Sequence, residues 1–460
     1  MLKIHFSNIG NIAKGDVELN KMTIFAGENN TGKTYATYVV YSLLEKEFRY
    51  EFKEVLPIVE ELYKDGFYTL DLKEFFDAHY SKMKQEIEKA FSENLHAIFS
   101  AEESEFSRSK IDFTLDESLV KENLVKMDIQ FSIGIGQNNF TTFEAIKLPD
   151  ETSLKLMLFD IKVPKRVIGE HVKSILNRLV FDDLFSKSFL LPAERTGLNL
   201  FYQELSRKRT AMLHHLQKIE FDPMELIKDL IVSRYPQPIA DYIDFLNDTQ
   251  NLKKSSSDFK DLALEIQKNI LHGTYKVEKD GIYFLPYKRH SNKENHHQKI
   301  SLHLSSSTVK TFFSLVFYLE HMADQNQTLI IDEPELNLHP ENQRKIARVL
   351  AMIANRGIQV VLSTHSDYFI REINNLMMLK NDFSTKKDIM EEYGYSEEML
   401  LNPKDVNAYW FHDHKINKMK IYEDEGIVVD TFDSVIRDLN MLTDKIYYQK
   451  KADLDDTADK

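Results

Sequence analysis

Eight consecutive residues near the N-terminus, Gly27-Glu28-Asn29-Asn30-Thr31-Gly32-Lys33-Thr34, have the spacing of a phosphate loop, G-x-x-x-x-G-K-[ST]. The residue types carry the chemistry. Glycines let the backbone approach an anion, N–H groups at a helix start face phosphate oxygens, and an ammonium reaches the terminal phosphates while a hydroxyl ligates Mg²⁺. Gly27, Asn29, Asn30, Thr31, Gly32, Lys33 and Thr34 are thus candidate ATP-binding residues, and Thr34 a candidate metal ligand. With only 14 glycines in the chain, a chance match has a probability of roughly a few per thousand.

A second group lies about 300 residues downstream. Thr328-Leu329-Ile330-Ile331-Asp332-Glu333-Pro334 is an apolar strand ending in two carboxylates, the place where ligands bind in open α/β sheets. Asp332 is a candidate Mg²⁺ ligand, and Glu333 a candidate for orienting or deprotonating the attacking water. Alone, the pair would read equally well as a capping Asp before a proline-started helix. Leu362-Ser363-Thr364-His365-Ser366 ends the next apolar strand, and an imidazole there could sense a γ-phosphate by hydrogen bonding.

The elements that must position these residues follow from hydropathy. Leu2–Leu19 reads as two strands and a turn, Met22–Ala26 as a third strand, and Tyr35 to about Glu47 as a helix. From about 48 to 99 the spacing is helical. Val125–Phe159 suggests strands around a polar turn at Gln137–Asn139, and Ser188–Pro192 a buried strand. Residues of about 200–272 read as mostly helical, interrupted near Tyr235–Pro238; Tyr275–Tyr287 reads as a hairpin turning at Asp280-Gly281. Val309–Met322 reads as a helix. One helix joins the acidic strand to the strand before His365, as parallel neighbours require. About 407–440 suggests a hairpin and one more helix, and the charged tail from about Lys450 reads as disordered. The expected division is a core from 1–47 and 188–440, a mostly helical insert with some strands at 48–187, and a helix end with an acidic tail at 441–460.

Composition sets broad limits. At 460 residues, two or three substructures around one main core are expected. No run of about 18 apolar residues suggests a membrane span, and the first residues lack the pattern of a signal peptide. The absence of cysteine excludes disulfides and thiolate metal sites and fits a reducing cytoplasm, the expected location. A net charge of −14 disfavours coating nucleic acid with the whole surface, so any such contact needs a local basic patch.

Taken together, GENNTGKT, LSSST, LIIDEPE and STHS resemble the ABC-type ATPase head, as in DNA-repair and chromosome-maintenance members. The resemblance implies an α/β P-loop head with a mixed sheet core and a large, mostly helical insertion, with ATP and Mg²⁺ as cofactors. In that family a Ser-rich signature at a helix N-terminus contacts the ATP of a second subunit. The matching piece here is Ser305, Ser306 and Ser307, although the family's usual glycines are serines at 306 and 307; a plain Ser N-cap is the other reading.

EPELNLHPENQ and STHSDYFIREINNL are similar to a prokaryotic group found in phage-defence systems, which includes the Septu ATPase, the ATPase AriA and the ATPase part of the overcoming-lysogenization-defect nucleases. LPAERTGL at 191–198 resembles a recurring element of that group. Its Arg195 would approach the nucleotide or a subunit boundary, or else form a surface ion pair. The resemblance implies a homo-oligomer with ATP between subunits. Only about 95 residues follow His365, without a strand-borne Glu and Asp-x-Asp set, so a separate HNH or Toprim nuclease is the implied partner. The leading expectation is an ATPase that senses phage activity and licenses that nuclease. A DNA repair or recombination clamp and an ATP-stabilised scaffold are the rivals.

Other signals read as ordinary surface. His290, His296 and His297 lie in a polar loop, with His303 just after it; its lysines and Arg289 make it a modest candidate for phosphate contact with nucleic acid. His412-Asp413-His414 falls at a hairpin turn. Gly134-Ile135-Gly136 lacks the helix context of a dinucleotide fingerprint.

Overall fold

The computed structural model describes residues 2–45, 50–114, 117–135, 140–181, 187–202, 204, 235–249, 251, 256–278, 280–288, 299–428 and 438–450. The expected polar turn at Gln137–Asn139, most of 200–234, the loop carrying His290, His296 and His297, and the tail from 451 fall outside them.

A nine-stranded mixed sheet forms the centre. Its order is Lys110–Thr114, Lys3–Ile9, Ile12–Glu18, Lys415–Lys418, Val406–His412, Met22–Gly27, Gln359–Thr364, Thr328–Asp332 and Ser188–Leu191. The five strands from Val406–His412 to Ser188–Leu191 run parallel. The other half is largely antiparallel, with one parallel pairing between Lys415–Lys418 and Ile12–Glu18.

The central strands are apolar throughout because both their faces are covered. Successive side chains point to opposite faces. Phe25, Ile330 and Val361 therefore join Val39, Val40 and Leu43 of the helix Lys33–Glu45. Ile24, Ala26, Leu329, Ile331, Val360 and Leu362 pack on the other face with the helices Ser307–His321, Pro340–Asn355 and Asp367–Met378. One loop thus emerges beside another at the carboxyl ends of the parallel strands, which puts the phosphate loop, the acidic turn and His365 side by side.

The segment expected to be helical from 48 to 99 is broken by a strand, Phe67–Asp71, between the helices Val55–Asp65 and Leu72–Glu93. Gly66, at φ 76°, ends the first helix, and the Asp71 carboxylate caps the second by accepting from the N–H groups of Lys73 and Glu74. That strand belongs to a four-stranded antiparallel sheet with Ser153–Leu158, Phe140–Lys147 and Ile129–Ile135. Lys110–Thr114 leaves this region and pairs with Lys3–Ile9 at the edge of the main sheet. The insert consequently shares one continuous core with the phosphate-loop side of the molecule. Gly273–Glu278 and Gly281–Pro286 form the expected hairpin, and residues 438–450 are helical.

Candidate functional site

The phosphate loop begins where the strand Met22–Gly27 ends. Gly27 has φ 152°, and a Cβ there would lie 2.5 Å from the Phe411 carbonyl oxygen; at Gly32, φ 101°, it would meet Ile12 Cγ1 at 2.7 Å. Both positions demand glycine on conformation and on space. The loop is tethered from outside: Asn11 Nδ2 donates to the Asn30 carbonyl at 2.7 Å, and Thr31 Oγ1 donates to the Glu28 carbonyl at 2.8 Å. Lys33 opens the following helix and lies 6% exposed. Its Nζ folds back to donate to the carbonyls of Gly27 at 2.9 Å and Glu28 at 2.6 Å. Burial pulls its pKa below the ordinary lysine value, against the pull of Glu333, Asp332 and Glu335.

Asp332 is 1% exposed. One carboxylate oxygen accepts from Ser363 Oγ, and the other from Thr34 Oγ1 at 2.9 Å. Burial raises its pKa to about 6, with the bonds from Ser363 and Thr34 opposing the rise. Thr34 and Asp332, 298 positions apart, thus form a hard-oxygen pair suited to Mg²⁺, which takes its remaining ligands from water and phosphate. Among the described residues no group of three or more His, Cys, Asp or Glu could hold a metal ion.

Glu333 adopts φ 53°. Its N–H donates to the Ser363 carbonyl at 3.2 Å and to Ser363 Oγ at 3.1 Å. Its carboxylate faces His365 Nδ1 at 3.5 Å. The imidazole holds the Glu333 carboxyl below its ordinary pKa, and Glu333 in turn raises His365. His365 lies at the same 3.5 Å from Glu335 Oε1. That oxygen also accepts from Thr364 Oγ1 at 2.7 Å and from the His365 N–H at 2.9 Å, so Glu335 fixes the backbone that carries the histidine. The sequence reading gives no role to Glu335 or Ser363; the second acid of EPE and the first serine of STHS are their local signs.

Of the two readings made from sequence, the surface ion pair does not hold for Arg195. It is 2% exposed and donates to the carbonyls of Pro192 at 2.9 Å, Asp332 at 2.6 Å and Glu333 at 2.6 Å. A guanidinium enclosed in this way meets backbone, and forms no surface ion pair. Ser306 caps the helix Ser307–His321, its Oγ accepting from the Val309 N–H at 3.3 Å, while Ser305 Oγ donates to the Ser301 carbonyl at 3.2 Å. Ser306 and Ser307 are exposed. Among the described hydrogen bonds none joins Ser305–Ser307 to the phosphate loop of the same chain. His412 and Asp413 are exposed at the turn of the hairpin Val406–His412 and Lys415–Lys418.

Residues 1–370 match the AAA_15 family, an AAA ATPase domain. The chain belongs to that family. Its activity class is therefore ATP hydrolysis and its cofactor ATP, on an α/β fold with a mixed sheet core. The chain is also 30% identical over 83 residues to the arginine/ornithine transport ATP-binding protein AotP of Pseudomonas aeruginosa, a stretch covering 18% of this chain and 31% of that one. It thus spans about a third of that relative's length. Among solved structures, the Smc head domain of Pyrococcus furiosus, bound to the C-terminal domain of ScpA, aligns over 96% of this chain and 100% of its own, at 10% identity and TM-score 0.31. The SMC head domain of Thermotoga maritima aligns over 91% and 98%, at 9% identity and TM-score 0.31. Among the described residues no helix is long and apolar enough to cross a membrane.

Proposed function

We propose that this chain is the ATP-driven switch subunit of an anti-phage defence assembly, which oligomerises around ATP and controls a separate effector nuclease. The observation that carries the reading is that two sets of candidate nucleotide-binding groups stay apart within one chain. The half built from Lys33, Thr34, Asp332, Glu333 and His365 is assembled within one chain. The exposed hydroxyls of Ser306 and Ser307, at a helix N-terminus suited to an anion, make no described bond to that half. A second copy supplies the missing face, and slow turnover makes nucleotide state an assembly signal. The likeness of EPELNLHPENQ and STHSDYFIREINNL to phage-defence ATPases supports the setting.

Each residue has a definite task in this reading. Lys33 leaves the Gly27 and Glu28 carbonyls to bind terminal phosphate oxygens. Thr34 and Asp332 hold Mg²⁺, which when bound neutralises charge on the β- and γ-phosphates. Glu333 orients the attacking water, and His365 holds Glu333 in place and faces the γ-phosphate. Asn29, Asn30 and Thr31 line the loop.

The test is ATP-dependent assembly, measured by mass photometry with Mg²⁺ present. Glu333→Gln is expected to bind ATP, stop hydrolysing and accumulate as the assembled form, and Ser306→Arg to stay unassembled. Identical mass distributions with and without ATP in wild type and Glu333→Gln would overturn the switch. Retention of duplex DNA by the assembled form, with no nuclease subunit captured, would favour a repair or recombination clamp.

A further inference from the structure

Glu333 stands in an unusual backbone state. A positive φ of 53° is disfavoured for any residue with a Cβ, and the following Pro334 further restricts the residue before it to extended conformations. Such a state persists only where its surroundings fix it. The Glu333 N–H is held by Ser363 and the carboxylate lies against His365. The remaining handle is the Glu333 carbonyl, and Arg195 Nη2 donates to it at 2.6 Å while Nη1 donates to the Asp332 carbonyl at 2.6 Å.

Burying a guanidinium is costly, and among the described contacts this one gains no carboxylate partner within ion-pair distance. Its described hydrogen bonds all go to backbone carbonyls, two of them those of Asp332 and Glu333. A planar fork of charged donors fixes peptide planes more firmly than neutral donors can. The same segment, helical from Arg195 onward, is hydrogen-bonded to the signature helix Ser307–His321. Thr196 Oγ1 shares a bond with Thr311 Oγ1 at 2.7 Å and accepts from Asn337 Nδ2 at 3.1 Å; Asn199 Nδ2 donates to the Lys310 carbonyl at 2.6 Å; and Thr308 Oγ1 donates to the Asn337 carbonyl at 3.0 Å.

We infer that Arg195 is a positioning residue that holds Glu333 in its water-facing backbone state, and that the segment Pro192–Asn199, a turn that enters a helix at Arg195, is a strut tying that state to the signature helix of the same subunit. Arg195 acts through Glu333 and touches no nucleotide. Displacement of the Ser305–Ser307 face by a partner's ATP is thereby transmitted to the turn that orients water. The inference rests on the role proposed above for Glu333.

The experiment compares full-length wild type, Arg195→Met, Thr196→Val and Glu333→Gln by steady-state ATP hydrolysis, ATP affinity from titration with a non-hydrolysable analogue, and thermal melting. For Arg195→Met, kcat is expected to fall by about 10²-fold, with analogue affinity close to wild type. Thr196→Val preserves shape, loses its bonds to Thr311 and Asn337, and is expected to lower kcat several-fold with affinity unchanged. A role in stability alone would lower the apparent rate per total protein and the binding-competent fraction together, and leave kcat per folded molecule untouched. A folded Arg195→Met protein with wild-type kcat overturns the inference. If Arg195→Met fails to fold, Thr196→Val decides, and wild-type turnover there overturns it equally. If Glu333→Gln itself hydrolyses ATP at the wild-type rate, the role of Glu333 is wrong, a failure separate from an inactive Glu333→Gln beside a fully active Arg195→Met.

Discussion

Replacing Lys33, a buried residue, by Met removes an ammonium bonded to two loop carbonyls, at 2.9 and 2.6 Å. Counting only bonds to phosphate would overstate its role in binding, because those bonds are exchanged for the ones to Gly27 and Glu28. The net loss is then about one hydrogen bond to a charged group, roughly 1.5–3 kcal/mol, or about ten- to 150-fold in Kd. Stability moves the other way from intuition. Methionine fills a similar volume without a buried charge, so nucleotide-free Lys33→Met should remain within about 1 kcal/mol of wild type. Titration calorimetry with a non-hydrolysable ATP analogue measures the first quantity, and urea unfolding without nucleotide the second. An analogue Kd within about twofold of wild type, or weak binding explained entirely by unfolding, refutes the reasoning.

Gly27→Ala places a methyl 2.5 Å from the Phe411 carbonyl at φ 152°, and should cost about 1–3 kcal/mol of stability and abolish analogue binding, read by urea midpoint and titration. Glu372, buried between Arg344 Nε at 2.8 Å and Arg348 Nε at 2.6 Å, joins the helices Pro340–Asn355 and Asp367–Met378; Glu372→Ala should lose about 3–5 kcal/mol in the same assay. Asp332 has its folded-state pKa raised from 3.8 to about 6 by burial, so its ionised form is penalised in the folded protein. In chelator and without nucleotide, wild type should therefore lose stability relative to Asp332→Asn as pH rises from about 4 to 6, by about 3 kcal/mol at most, with no further change to pH 8. A pH-independent difference between the two proteins would show that the Asp332 carboxyl is not so perturbed.

The phosphate loop, the acidic strand and the strand before His365 could be read directly because each is a short string whose meaning is local. Glycine spacing, unbroken apolar runs and a carboxylate or imidazole at a strand end leave few structural options, and the continuous apolar runs of Met22–Gly27 and Thr328–Asp332 already imply cover on both faces. The hairpin at Asp280-Gly281 was legible for the same reason. The strand Phe67–Asp71 was hidden between two helices, where a five-residue run gives too little periodicity to compete with the helical signal on each side.

What tertiary structure alone decided concerns pairs distant in sequence. Thr34 meets Asp332 across 298 positions, and Arg195 reaches Asp332 across 137. Nothing local to LPAERTGL shows that its arginine lies beneath the acidic turn, because its burial depends on the sheet bringing Ser188–Leu191 beside Thr328–Asp332. Lys110–Thr114 likewise joins the main sheet only because an edge strand, Lys3–Ile9, offers it unpaired backbone groups. The sequence by itself determined which groups could do phosphate chemistry, since that depends on residue type and short spacing. The fold decided which of them touch and which of their charges are buried, because hydrogen-bond distance and desolvation are properties of neighbours the chain meets only once it has closed.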